Sequence, residues 1–462
     1  MNVLLVKPYS DFPTRIPHLG LGYLAAALRR RGHAVRIADC PREGLGEREL
    51  LALAAEWAPR LVGLSAFTAD VPVLRGLCRL LRLALPDATL VLGGPHPSCL
   101  PDHLFGFIPE IDYAFAGEAE AGLAQLADGL AAGGFDPAAI PGLAWRSDGE
   151  VRANPPYFEP DLDALGLPAW DLLRPEIPVL APHGAFVRRQ PSAPIVTSRG
   201  CPFPCTFCAA RSVSGRRIRQ RSIESVLEEV ALLADRHGVR ELHIEDDNFT
   251  FRREFVAGFC EGMLRRGGAL PWCCPNGVRL DSLDPELLRL MRRAGCYSLS
   301  LGIESGAPRV LAMIRKGLEP DDIRERVAWI REAGIKTTGF FIIGFPTETA
   351  AEIETTIRFA RELALDRAQF STFLPLPGTV YFDELVAAHG LDGIPWEGFL
   401  TTEAFEVPDG LPRGELVRLQ RRAFLRFYAR PGTLLRLAGE IRGPRHLAHL
   451  AARAAAVWKS ER

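Results

Sequence analysis

Three cysteines, Cys201, Cys205 and Cys208, sit close together in the segment TSRGCPFPCTFCAA. Thiolates are soft ligands suited to iron-sulfur clusters and to zinc. Gly200, Pro202 and Pro204 make the segment an irregular loop rather than a helix or strand. A closed tetrahedral zinc site needs a fourth ligand, and no partner CxxC occurs at zinc-ribbon spacing. Three thiolates around a cubane cluster leave one iron open for a cofactor or substrate. The adjacent Cys273 and Cys274 lie in an apolar run and read as half-buried thiols. Cys40, Cys78, Cys99, Cys260 and Cys296 have no ligand spacing and read as structural.

The elements that must position these thiols follow from periodicity. From Ala193, apolar runs alternate with helical patterns: APIVTSRG, ELHIED, PWCCPNGV, SLSLGIES, TTGFFIIGFP and RAQFSTFLPLP predict six strands, each but the last followed by a helical stretch. Residues 193–385 therefore predict a partial or full α/β barrel with its active site at the C-terminal strand ends. The cysteine loop follows the first of those strands. Residues 1–150 show the same alternation, in VLLV, HAVRIADC, RLVGLSAF and TLVLGG, and predict a doubly wound parallel sheet. Residues 151–192 are proline-rich and read as a linker, and 386–462 as a helical, arginine-rich region. The fold class is α/β throughout, closed by that helical tail.

CxxxCxxC with Phe207 just before the last cysteine resembles the hallmark of radical S-adenosylmethionine enzymes. The resemblance implies that Cys201, Cys205 and Cys208 hold a [4Fe-4S] cluster whose open iron chelates S-adenosylmethionine. Electron transfer would then yield a 5′-deoxyadenosyl radical. Further segments match in the family's order. IEDDNF places Glu245, Asp246 and Asp247 where the family binds the methionyl amino group. NGVRLD places Asn276 and Arg279 toward the cofactor, the planar fork of Arg279 suiting a carboxylate. LGIESG offers Glu304 to the ribose hydroxyls, and GFFIIGFPTET sets Gly344 and Pro346 at the adenine. PLPGT, Pro375 to Thr379, would close the barrel mouth. RQRSIESVLEE also matches the subgroup, with Arg221 read as an ion-paired or solvated residue at a helix start.

The N-terminal sheet resembles the cobalamin-binding domain of the cobalamin-dependent subgroup, through PHLGLGYLAAALRRRGHAV, VGLSAFTAD, VLGGPHPS and GEAE. That resemblance makes Ser65 and Thr68 hydrogen-bond partners of the nucleotide tail, and Gly93 and Gly94 points of close backbone approach. The lower-ligand signature DxHxxG is absent, and His96 reads as a loop histidine satisfying nearby backbone. No GxGxxG or GxxxxGK[ST] follows a strand.

The resemblance implies methyl transfer to an unactivated carbon of a biosynthetic intermediate. Cobalamin-dependent cyclisation or ring rearrangement, and a non-catalytic cobalamin-binding protein, are the competing readings. The substrate is expected to be a small molecule or lipid-like, with an electron donor such as flavodoxin or ferredoxin. Among 462 residues, 55 Lys+Arg against 56 Asp+Glu give no reason to expect nucleic acid. The start lacks signal-peptide order and no run spans a bilayer, so a cytoplasmic location is expected. Residues 411–462 carry twelve Lys/Arg against three Asp/Glu, about +9. They read as a helical cap on the barrel, with contact to an anionic membrane surface as the alternative.

Overall fold

Strands buried on both faces read as near-continuous apolar runs, and the N-terminal runs do form such a sheet. The computed structural model describes residues 1–9, 16–179, 187–267, 270–397 and 409–438, together with Phe399 and Phe405. Strands β1 (Asn2–Lys7), β2 (Ala34–Asp39), β3 (Leu61–Ser65), β4 (Thr89–Gly93), β5 (Tyr113–Phe115), β6 (Leu143–Ser147) and β7 (Glu150–Ala153) make one sheet. Their order is β2-β1-β3-β4-β5-β6-β7, with the first five parallel and the last two antiparallel. The order reverses between β1 and β3, the switch point where doubly wound sheets open a crevice for ligands. The β6–β7 hairpin, turning at Asp148–Gly149, carries this sheet to Ala153.

The linker packs against both halves. The amide of Glu118 donates to the carbonyl of Tyr157 at 2.7 Å. Trp170, 2 % exposed, donates its indole N–H to Glu229 at 2.9 Å. Glu229 in turn pairs with buried Arg221, which also donates to the Val196 carbonyl at 3.1 Å. Arg221 is thus ion-paired inside the protein rather than solvated. One continuous apolar cluster runs from Leu5 and Leu21 through Trp170 to Ile195 and Leu242.

The second sheet contains β8 (Ser192–Ile195), β11 (Glu241–Ile244), β12 (Trp272–Val278), β13 (Cys296–Glu304), β14 (Lys336–Ile343) and β15 (Arg367–Thr372), all parallel and in sequence order. Among the described residues its edge strands β8 and β15 do not pair, so of the two forms expected it is the partial barrel. A short antiparallel pair, β9 (Ser198–Arg199) with β10 (Arg219–Gln220), brackets the cysteine loop. Helix Arg413–Tyr428 packs on β15, where Gln420 donates to the Phe370 carbonyl at 2.9 Å and Tyr428 to the Ala368 carbonyl at 2.7 Å. Residues 439–462, the end of the basic tail, lie outside the described residues. Among the described residues no helix is long and apolar enough to cross a membrane.

Candidate functional site

The cysteine loop leaves the C-terminal end of β8 and is shaped by backbone contacts. Gly200 has φ +95°, and a Cβ there would strike the Arg217 carbonyl, so the turn requires glycine. The Cys201 amide donates to the Gly215 carbonyl at 3.1 Å, and the Thr206 amide to the Ile314 carbonyl at 3.1 Å. All three thiols are half-buried. Burial pushes the Cys208 thiol up to about 11, and a metal ion bound there would take the place of its proton. Among the described residues, the sole trio of His, Cys, Asp or Glu with ligand atoms all within 4.8 Å of one another lies elsewhere. The three Sγ atoms of the triad are therefore not all within 4.8 Å of one another.

The three acids of IEDDNF divide their work. Asp246 is buried and accepts from the Thr197 amide at 2.7 Å and from the Thr197 and Ser198 hydroxyls at 2.6 Å each. Burial pushes its carboxyl up to about 6 against those hydrogen bonds. It braces the chain leading into the cysteine loop. Asp247 accepts from the Gly200 amide at 3.2 Å. The Glu245 carbonyl accepts from exposed Asn276 at 2.8 Å, joining the ends of β11 and β12.

Arg279 is fully engaged by protein. Its guanidinium pairs with Asp281 at 2.8 Å, donates to the Lys316 carbonyl at 2.8 Å and reaches the Cys205 sulfur at 3.8 Å. Buried Lys316 bonds Glu304 at 2.8 Å and approaches the Phe207 ring at 6.0 Å. Gly344 donates its amide to Glu348 at 2.6 Å, as does Phe345 at 3.1 Å. A Cβ on Gly344 would meet Leu416 of the C-terminal helix at 2.7 Å. Pro346 follows, half-buried. Beside these, Asn248 is 2 % exposed, and neither atom of its amide has a partner among the described residues.

At the N-terminal sheet, Ser65 ends β3 and pairs with His18 at 3.0 Å. The Leu21 amide donates to Nδ1 of His18, so Nε2 carries the proton and donates to Ser65. Burial holds His18 down at about 4, hence neutral. Thr68 meets Nδ1 of His96 at 3.2 Å. His96 is fully buried and its other ring nitrogen contacts His103 at 3.1 Å, so the ring is satisfied by side chains rather than by the backbone expected. Gly94 has φ +122° and a Cβ there would crowd the Ala66 carbonyl at 3.1 Å, whereas a Cβ on Gly93 would meet open space. Phe67, apolar yet 47 % exposed, lies just past β3. Open space, polar hydroxyls and an uncovered aromatic ring at a switch point fit a large planar cofactor.

The two sets of strand ends are locked together. Arg219 of β10 forms a two-pronged pair with Glu118, in the loop after β5, at 2.7 and 2.8 Å. Arg199, at the start of the cysteine loop, pairs with Glu120 at 2.8 Å and lies 5.0 Å over the Tyr23 ring. The C-terminal ends of β5 and β8 therefore meet at one buried ionic joint.

Comparison with known proteins agrees with this geometry. Residues 195–360 match the radical SAM superfamily and residues 9–127 the B12 binding domain. An uncharacterized methyltransferase of Pyrococcus horikoshii is 31 % identical over 444 residues, covering 94 % of each chain. The chain belongs to the cobalamin-dependent radical S-adenosylmethionine family. This family's cofactors are a [4Fe-4S] cluster, S-adenosylmethionine and cobalamin. The cytidylyl-2-hydroxyethylphosphonate methyltransferase of Streptomyces wedmorensis is 30 % identical, with 83 % of this chain and 82 % of that one covered. A radical S-adenosylmethionine methyltransferase of Kitasatospora setae, solved with cobalamin and a [4Fe-4S] cluster bound, shares the fold at TM-score 0.70 and 22 % identity, over 85 % of this chain and 79 % of that one.

Within this family site, the sequence reading missed Lys316, Asn248, His18 and the Glu118–Arg219 joint. Lys316 had a signal. Only four of the 55 basic residues are lysine, and one of them falls twelve residues after Glu304. A lysine in so arginine-rich a chain marks a place that wants a compact charge.

Proposed function

We propose that the protein transfers a methyl group to an unactivated carbon of a small or lipid-like biosynthetic intermediate. The observation carrying this reading is the buried joint of Glu118 and Glu120 with Arg219 and Arg199, which faces the two cofactor-binding strand ends toward one another. Two relatives that align along most of their length and are named as methyltransferases support it.

When bound, the cluster supplies the electron that cleaves S-adenosylmethionine, and cobalamin supplies the methyl group. The chain's own residues do the positioning. Cys201, Cys205 and Cys208 would hold the cluster, while Arg279 places positive charge beside the Cys205 sulfur. Glu304, with Lys316 beside it, and Asn276 present polar groups at successive strand ends to the ribose and methionyl parts of S-adenosylmethionine. Asp246 and Asp247 hold the cysteine loop from beneath. Ser65, Thr68, Gly93 and Gly94 line the cobalamin side, with the exposed Phe67 ring next to them. A flavodoxin or ferredoxin delivers the electron. Catalysis then rests on alignment in a space closed to quenchers rather than on acid–base chemistry.

The test is anaerobic incubation of reconstituted protein and host-extract metabolites with S-adenosylmethionine labelled in its methyl group. Label on a carbon of a metabolite is the expected result. A rearranged or cyclised metabolite without label would replace this reading with the ring-forming one.

A further inference from the structure

At the other end of the barrel, away from the cysteine loop, four side chains converge that the proposed reaction does not use. Glu241 opens β11, and His243 lies two residues along the same strand, on the same face. Cys273 of β12 is the register partner of His243, and Tyr297 is near the start of β13. Glu241, His243 and Cys273 are all buried, Glu241 completely. Their ligand atoms lie within 4.8 Å of one another. His243 Nε2 is 3.1 Å from Glu241 Oε1, and the Tyr297 hydroxyl donates to that same oxygen at 2.6 Å. The second carboxylate oxygen accepts the Arg189 amide at 2.6 Å.

We propose that Glu241, His243 and Cys273 bind a structural zinc ion, with the Tyr297 oxygen beside it as the fourth group.

The donor set is one thiolate, one imidazole and one carboxylate, a mixture that borderline-soft zinc accepts readily. Metal–ligand bonds of roughly 2.0–2.3 Å put ligand atoms about 3.3–3.6 Å apart in a tetrahedron. The three ligand atoms lie within 4.8 Å of one another, with the imidazole and carboxylate at 3.1 Å, so closing on an ion needs only side-chain movements. Charge also balances. A dication with one carboxylate, one thiolate and a neutral imidazole sums to zero, which a fully buried site demands. Binding displaces the thiol proton of Cys273 and any proton on Nε2 of His243, and both leave to solvent. The Arg189 amide, bonded to the second carboxylate oxygen of Glu241, then acts as the outer hydrogen bond that orients the metal-bound carboxylate.

The site is closed, so it takes its ion as the barrel folds. It ties the first residues of three neighbouring strands to the linker at Arg189. This placement at the N-terminal end of the strands is where a barrel puts stability rather than chemistry. It is independent of whether the cysteine triad binds a cluster or the enzyme transfers methyl.

Elemental analysis of the full-length, anaerobically reconstituted protein tests this. The expected result is one zinc per chain in addition to cluster iron. A Cys201→Ala/Cys205→Ala/Cys208→Ala protein keeps that zinc, and Cys273→Ser lowers its affinity by about tenfold or more. Should Cys273→Ser fail to fold, zinc-edge X-ray absorption on the triple variant decides, with one sulfur among nitrogen and oxygen ligands expected. Wild-type protein without stoichiometric zinc would overturn the proposal and leave a hydrogen-bonded network alone. So would zinc with several sulfur ligands or none, or zinc unaffected in a folded Cys273→Ser protein.

Discussion

The Arg279 guanidinium carbon lies 3.6 Å from the centre of the Phe203 ring, two residues past the first cysteine of the triad. Stacking there fixes the plane of the fork, and Nη1 is left aimed at the Cys205 sulfur. A cation near a cluster thiolate stabilises the reduced, more negative cluster. A hydrogen bond from a charged donor is worth about 1.5–3 kcal/mol, or roughly 60–130 mV for a one-electron couple. Because Asp281 offsets part of the charge, Arg279→Gln is expected to lower the cluster midpoint potential by an amount near the bottom of that range. Potentiometric titration followed by electron paramagnetic resonance measures it. An unchanged midpoint would show that Arg279 only braces the loop.

Lys316 and Glu304 form a buried pair, so removing one partner leaves an uncompensated charge inside the barrel. Lys316→Met is expected to cost about 3–5 kcal/mol. The double variant Lys316→Met/Glu304→Gln recovers much of that loss, because neither charge remains. Denaturant unfolding of the two single variants and the double one closes the cycle, and additive effects would disprove the coupling.

Asn248 spends a buried amide on nothing within the described protein. Such a group costs stability unless a ligand pairs it. Asn248→Leu is expected to keep or raise the stability of the unliganded protein while weakening S-adenosylmethionine roughly tenfold, about 1.4 kcal/mol. Equilibrium binding and melting temperature, measured on the same preparation, separate these effects. Loss of stability with unchanged binding would count against a ligand role.

Glu348 accepts the amides of Gly344 and Phe345, and burial pushes its carboxyl up to about 7 from an ordinary 4.5. The folded state thus holds a proton that the unfolded chain has already lost between those values. Stability falls as pH rises through that window and levels off above it, a change of roughly 3 kcal/mol. Glu348→Gln keeps an acceptor for both amides and cannot ionise. Its melting temperature is expected to lose this slope between pH 4.5 and 7, and an identical slope in both proteins would assign it to other groups.

The cysteine triad and the order of the barrel strands were legible because both are local signals: ligand spacing in one loop, and apolar period along one segment. The pairs that make the site work were not. Glu118 and Arg219 are far apart in sequence and meet only because the strand ends of two sheets face each other. Arg279 looked like a free fork for a carboxylate, yet a neighbour two residues away, Asp281, already fills it. The β6–β7 hairpin did carry a local sign, Asp148–Gly149, with both residues at positive φ. A boundary drawn at residue 150 cut through it because the strands beyond are short and largely polar.

The most direct check on the account is whether S-adenosylmethionine is cleaved at the triad. Reduced, cluster-reconstituted protein with cobalamin is expected to form 5′-deoxyadenosine, and with its substrate S-adenosylhomocysteine as well, while Cys205→Ala forms neither. A Cys205→Ala protein that still produced 5′-deoxyadenosine at the wild-type rate would contradict it.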